Sequence, residues 1–414
     1  MKTTARTART ARAALTAALA GALLAAAPAA SAEGSRPHTA RPHDGVRSVL
    51  ERAVTEAGLP GARAEVRDGD ATWFAATGTA DLDTGRAITP RDRFRIGSTT
   101  KTFVATVVLQ LAAEQRLGLD DSVEHWLPGL LDGNGYDGSR ITVRQLLNHT
   151  SGVYNYAEDP ELAREFTGPS FLAHRFDDFT PRRLVEVAVA NGPKFAPGTG
   201  FAYSDTNYAL AGLIVEKATG RRLAQEIADR ITGPLHLANT YEPAAGDMRI
   251  HGPHARHYSK LMEQRADAPV HDVTDLNPSW GYASGDMIST TGDLAVFFRA
   301  LLEGRLLPPA QQREMFTTLD PQGHWIPDTR YGLGIAEQKL SCGTVWGMGG
   351  AINGSWSYTF GTRDGRHLLA TEVNGDWAAG SWGSPVGVFT AELEAEFCPA
   401  APAAPAAPEA PAAL

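Results

Sequence analysis

Phe94-Arg95-Ile96-Gly97-Ser98-Thr99-Thr100-Lys101-Thr102-Phe103 sets a serine and a lysine three residues apart at the start of a helix. From Thr99 to Leu117, apolar side chains recur at Phe103, Val104, Val107, Val108 and Leu111, a helical period with one buried face. Ile96-Gly97 ahead of it reads as a turn, which puts Ser98 at the helix N-terminus. Positions three apart share one helix face, so the Lys101 amine reaches the Ser98 hydroxyl. The positive end of the helix dipole favours the alkoxide that attack requires. Apolar surroundings from Phe103 onward lower the lysine pKa. The same spacing also suits a helix-capping serine beside a solvated lysine. About one Ser-x-x-Lys arises by composition alone in a chain of this size, so the rest of the sequence has to decide.

Working outward, residues 1 to 32 carry Lys2, Arg6, Arg9 and Arg12, then an Ala/Leu run from Ala13 to Ala27, then Ala30-Ser31-Ala32. This pattern predicts a secretory signal peptide cleaved after Ala32 and a secreted, extracellular protein. The apolar run is too short and too rich in small residues for a lasting membrane anchor. Losing four cations takes the formal charge from -9 to -13, which argues against nucleic acid or anionic lipid as partners. The two cysteines, Cys342 and Cys398, suit one disulfide in an oxidising compartment, with two buried thiols as the alternative. The Ala/Pro tail, 399 to 414, lacks the apolar variety to pack and reads as disordered, and residues 33 to 42 read as similarly loose.

Between these ends the expected fold class is α+β. Residues 33–117 and 301–398 read as a sheet domain. It opens with a helix at about 43 to 57 and strands at Ala62 to Arg67 and Thr72 to Gly78. It closes with runs at Tyr331 to Lys339, Thr344 to Met348, Ser355 to Gly361 and His367 to Asn374, followed by a helix from Ser384. An antiparallel sheet covered by the first and last helices is the natural assembly. Residues 118–300 read as an inserted helical lobe, with a cleft between lobes where a site is expected.

Two further segments bear on chemistry. In Phe201-Ala202-Tyr203-Ser204-Asp205-Thr206-Asn207-Tyr208 a tyrosine follows a Pro-Gly-Thr-Gly loop and precedes an apolar helix, a setting from which a phenol can project into a cleft, although taken alone it suits a core tyrosine better. A nearby cationic Lys101 would favour the tyrosinate, able to take the Ser98 proton and return it to a leaving group. Trp346-Gly347-Met348-Gly349-Gly350-Ala351-Ile352-Asn353-Gly354 is glycine-dense within a strand, which marks close approach of a ligand or a simple hairpin turn. The three pieces, in this order, resemble the serine penicillin-recognising family, in particular exported D-alanyl-D-alanine carboxypeptidases and class C β-lactamases. Leu146-Leu147-Asn148-His149-Thr150-Ser151-Gly152, Ser284-Gly285-Asp286-Met287 and Tyr331-Gly332-Leu333-Gly334 are similar to landmarks of that family.

The resemblance covers nearly the whole mature chain and implies a β-lactamase/transpeptidase-like fold. It makes Ser98 the acylated nucleophile, with Lys101 and Tyr203 exchanging its proton. The amides of Ser98 and Ala351 form the oxyanion hole, and Gly349 and Gly350 leave room for the approach. It pairs Cys342 with Cys398. It implies peptidoglycan-type peptides or β-lactams as substrates and requires no metal or organic cofactor.

Two positions depart from the pattern. Asp205 stands where the family has an asparagine two residues after the tyrosine, replacing an amide donor with a carboxylate. Met348 stands where the family has His or Lys, offering neither proton nor charge. Both weaken recognition of a free carboxylate. An esterase or D-aminopeptidase, or a non-catalytic peptidoglycan-binding relative, is therefore the alternative to a carboxypeptidase. His251, His254 and His257 are spaced three apart but sit in a polar Gly-Pro loop with no nearby cysteine and do not read as metal ligands. His149 reads as a loop residue buttressing the cleft, and Trp280 and Tyr282 as cleft-lining aromatics, with core packing as the alternative.

Overall fold

The two N-terminal strands meet the five C-terminal ones in a single antiparallel sheet. The computed structural model describes residues 42–244, 246–263 and 265–398. The expected leader and the Ala/Pro tail lie outside the described residues. The strands are β1 (Gly61–Asp68), β2 (Ala71–Gly78), β3 (Thr329–Tyr331), β4 (Ala336–Leu340), β5 (Gly343–Ile352), β6 (Ser355–Gly361) and β7 (His367–Val373), in the order β2-β1-β7-β6-β5-β4-β3. β1 pairs with β7 from Ala62 opposite Val373 to Asp68 opposite His367, so the two ends of the described chain close one sheet. Nearly everything between Thr100 and Leu302 is helix or loop.

Strand alternation gives the sheet two different faces. On one, Tyr358 of β6 stacks on Phe389 of the C-terminal helix Pro385–Phe397, which packs beside the N-terminal helix Asp44–Thr55. On the other, Arg63 and Glu372 form a buried ion pair across β1 and β7 at 2.7 Å, and Thr291 bonds to Glu65 at 3.1 Å. Thr291 opens the helix Thr291–Leu302, capped by the Thr290 side chain on the Asp293 amide. The Cys342–Cys398 disulfide fastens the end of the last helix to the turn between β4 and β5.

The helix expected after Ser98 forms at Thr100–Ala113, preceded by a single 3-10 turn at Gly97–Thr99 that carries the serine. It is buried on almost every side rather than on one face: Thr100 to Leu109 and Leu111 are all inaccessible. Phe103 stacks on Phe297 of the sheet-covering helix at 3.7 Å, and burying each ring contributes about 1.5–3 kcal/mol. One hydrophobic cluster runs from the sheet through this central helix to Leu210, Ile214 and Leu223 of the helical region. The run Tyr331 to Lys339, expected as one strand, is two. Gly332-Leu333-Gly334 breaks it, because Gly334 takes φ 74° where its backbone lies against Ala105 and Tyr208.

Candidate active site

Two side chains, one from its own helical turn and one from a distant loop, meet at Ser98. Lys101 Nζ lies 3.0 Å from Ser98 Oγ, and the Tyr203 hydroxyl donates to the same oxygen at 2.7 Å. The Ser98–Lys101 pair follows from one turn of helix, and Tyr203 arrives on the loop before the helix Asp205–Thr219. Lys101 is fully buried. Its amine also contacts Asp205 Oδ1 at 2.6 Å and the Ser284 carbonyl at 2.8 Å. Burial lowers the Lys101 pKa below its ordinary value, while Asp205 and Asp286 pull it back up. Asp286 is itself buried, and burial pushes it up to about 7 against hydrogen bonds from its own amide and that of Ala283 and the nearby charges of Arg95 and Lys101.

The tyrosinate expectation is overturned. Lys101 Nζ does lie 4.8 Å from the centre of the Tyr203 ring. Burial and the Asp205 charge nevertheless raise the Tyr203 pKa well above the phenol value, with only the Ser98 hydrogen bond opposing them. Tyr203 therefore rests as a phenol. Because that phenol donates to Ser98 Oγ, the serine's own proton is free to point at the amine. The arrangement can move the serine proton to Lys101 and supply another proton from Tyr203.

His149 holds this geometry from behind. Its backbone takes the left-handed conformation, φ 61°, and its ring packs 4.3 Å from that of Tyr203. Nδ1 accepts from the Ser204 amide at 3.2 Å, so the proton sits on Nε2, 3.2 Å from the Tyr331 hydroxyl. Burial, then the Lys101 charge, depress its pKa well below the usual histidine range and keep it neutral. Asn207 is buried against His149 and the Ser151 hydroxyl, at 3.2 and 2.6 Å, and its amide is thereby engaged away from the cleft.

The two segments that carry the expected oxyanion donors, Ser98 and Ala351, lie backbone against backbone. A Cβ on Gly350 would stand 1.8 Å from the Ile96 carbonyl and 2.9 Å from the Ser98 amide nitrogen. One on Gly97, at φ 49°, would stand 2.6 Å from the Ala351 amide nitrogen. Only glycine permits this contact between the serine turn and β5. Met348 is buried and lines a cavity of about 170 Å³ that also holds Ser98, Tyr203, Gly350 and Ala351.

Trp280 is a correction. Its ring stacks on Phe166 at 4.7 Å and its carbonyl accepts from Tyr156, so it packs in the helical region's core and not along the cavity. Tyr282 likewise packs against Gly212. The cavity wall is instead Trp325 and Ile326, from the loop before β3, and Trp356 and Tyr358 of β6. Trp325 lies parallel to Tyr203 at 6.0 Å. No periodicity marks that loop in the sequence. Among the described residues, no group of three or more His, Cys, Asp or Glu is arranged to hold a metal ion. His257 is buried, His254 half-buried and His251 exposed.

A buried lysine and a half-buried tyrosine converging on a serine at a helix start define a serine hydrolase site. The chain belongs to the beta-lactamase family, whose model matches residues 46–377. It is similar to a solved D-stereospecific amidohydrolase from a Streptomyces species. The TM-score is 0.79 and the identity 49%, over 87% of this chain and 100% of that one. It is also similar to the D-amino acid amidase of Ochrobactrum anthropi SV3, with TM-score 0.71 and 25% identity over 85% of this chain and 98% of that one. Penicillin-binding protein 4 of Amycolatopsis lactamdurans is 32% identical over 257 residues, 61% of this chain and 62% of the relative. The chain spans about half to three-fifths of the length of the curated relatives it matches. No helix among the described residues is long and apolar enough to cross a membrane.

Proposed function

We propose that this chain hydrolyses amides and esters of D-amino acids bearing a free α-ammonium group, through a Ser98 acyl-enzyme. The observation that carries the reading is the sign of the charges around the serine. Asp205 puts a carboxylate, 20% exposed, on the Lys101 side of Ser98, and none of the described residues lining the cavity on the other side is charged. An ammonium on the acyl half of a substrate is attracted to Asp205, whereas a terminal carboxylate on the leaving half meets Met348 and finds no cation. This pattern favours an aminoacyl substrate over the carboxypeptidase reading. The likeness to a D-stereospecific amidohydrolase and a D-amino acid amidase supports both the reaction and the D configuration.

The steps follow from the contacts. Ser98 Oγ attacks the carbonyl carbon as its proton passes to Lys101 Nζ. The oxyanion forms beside the Ser98 and Ala351 amides, where one donor is worth about 3–4 kcal/mol in comparable sites. The C–N or C–O bond breaks as Tyr203 gives its phenol proton to the leaving atom. Water then attacks the acyl-enzyme, giving a proton to the Tyr203 phenolate, and the proton held on Lys101 returns to Ser98 Oγ as the D-amino acid is released.

The test is ammonia release from D- and L-phenylalaninamide, run beside release of D-alanine from an acylated D-alanyl-D-alanine peptide. The reading requires the D-amide to be the best of the three, with turnover abolished in Ser98→Ala. Faster D-alanine release than D-amide hydrolysis would restore the carboxypeptidase reading.

A further inference from the structure

Lys101 Nζ touches two side-chain oxygens, Ser98 Oγ at 3.0 Å and Asp205 Oδ1 at 2.6 Å, so the carboxylate stands no farther from the nucleophile than those two contacts laid end to end. The third contact of the amine is the Ser284 carbonyl at 2.8 Å. An ammonium has three hydrogens, and these three acceptors use all of them. In that state Lys101 has no lone pair to receive the serine proton. A neutral amine keeps two hydrogens for Asp205 and Ser284 and turns its lone pair to Ser98. The charges around the amine therefore decide whether the base is ready. Asp205 and Asp286 face it and favour its charged form. Among the described residues, the other ionisable groups beside it are uncharged: the phenols of Tyr203 and Tyr208, with ring centres 4.8 and 5.6 Å away, and the neutral His149. Tyr156 and Tyr331, which face Asp205, are phenols too.

Lys101 itself is inaccessible, whereas the Asp205 side chain is 20% exposed, and its Oδ2 has no hydrogen-bond partner among the described residues. A cation from outside therefore meets this pair at the carboxylate. The α-nitrogen of an aminoacyl substrate lies two bonds from the carbonyl carbon that Ser98 attacks, a span comparable with the short distance from Ser98 to Asp205. We propose that a substrate's α-ammonium, on docking at Asp205 Oδ2, takes over the carboxylate that holds the Lys101 proton, so that Lys101 releases this proton to solvent and is the ready base in the complex. Asp205 then selects ammonium-bearing substrates through the rate of acylation as well as through binding. The coupling is reciprocal, since the ammonium binds more tightly once Lys101 is neutral. The inference rests on the α-ammonium of the aminoacyl reading and not on the D configuration.

Two p-nitrophenyl esters of one shape test this: the trimethylammonioacetate, charged at every pH, and its carbon isostere, the 3,3-dimethylbutanoate. Release of p-nitrophenol in the first turnover reads acylation alone. Its second-order rate at low ester follows Lys101 in the free enzyme, and its limiting rate at high ester follows Lys101 in the complex. For the charged ester, the pH limb of the limiting rate should lie about one pH unit or more below that of the second-order rate, the effect of one charge within about 4–6 Å. For the neutral ester the two limbs should stay together, because Lys101 is already fully buried and loses no further water. Equal separations for both esters overturn the inference. Reactivity toward the enzyme relative to hydroxide ion keeps the two readings apart. If the charged ester is favoured on that scale and Asp205→Asn abolishes the preference, the α-ammonium reading stands, and equal separations then condemn the coupling alone. If the charged ester is not favoured, the α-ammonium reading fails and the inference falls with it.

Discussion

Lys101 Nζ stands 2.6 Å from Asp205 Oδ1 and is completely buried, so one carboxylate sets how readily the amine beside Ser98 holds its proton. As a base, Lys101 acts when neutral. Burial lowers its pKa from the ordinary 10.5, so kcat/KM should rise with pH along a limb lying below that value. Asp205 and Asp286 both face the amine and oppose the lowering. Asp205→Asn removes one of these charges, and the limb should move to lower pH by about one unit or more. A p-nitrophenyl acetate profile reads this without involving the α-ammonium. A limb that stays in place or moves upward would remove Lys101 from the role of base.

Tyr203→Phe keeps the ring packed against His149 and Trp325 and deletes only the oxygen that donates to Ser98. The expected loss in kcat is about 10²- to 10⁴-fold, the usual value of a positioned proton donor, with an unaltered melting temperature. Near-normal turnover of an amide, whose leaving nitrogen needs a proton, would show that the proton travels another way.

Met348→His places a group that can carry a positive charge in a cavity wall where none stands. Turnover of substrates with a carboxylate on the leaving half should rise about tenfold relative to neutral ones, as one charge-assisted hydrogen bond allows. An equal effect on both substrate classes would mean that the missing cation does not set the specificity.

Glu392 lies on the C-terminal helix, wholly buried beneath the sheet, and burial pushes its carboxyl up to about 8 against a pull from the Thr371 hydroxyl. A carboxyl whose folded pKa exceeds its unfolded one contributes stability that is complete below about 4.5. That contribution declines as pH rises and is gone once the folded pKa is passed near 8. Glu392→Gln, neutral at every pH, should match the wild type in denaturant unfolding at pH 5 and exceed it at pH 9. Equal stability at both would mean that the carboxyl ionises as readily folded as unfolded.

Much of this was readable from the chain. Strong periodicity located six of the seven strands, and the Ser-x-x-Lys pair needed only one helical turn to be placed. The Tyr203 loop and the glycine-dense strand came with the family pattern. What escaped depends on long-range geometry. Trp325 reaches the cavity only because the loop before β3 folds over Tyr203. Trp280 was misplaced because a lone aromatic in a loop gives no sign of whether Phe166 or a substrate will face it. The tyrosinate expectation weighed Lys101 alone; the burial of Tyr203 and the Asp205 charge reverse its sign.

The most direct measurement is the intact mass of the protein, acid-quenched within seconds of mixing with the p-nitrophenyl ester of D-phenylalanine, beside Ser98→Ala. The expected result is a wild-type species heavier by one D-phenylalanyl group, mapped by peptide digestion to the segment holding Ser98, and no such species in the variant. Rapid p-nitrophenol release with no adduct on Ser98, or the same adduct in Ser98→Ala, would contradict a Ser98 acyl-enzyme.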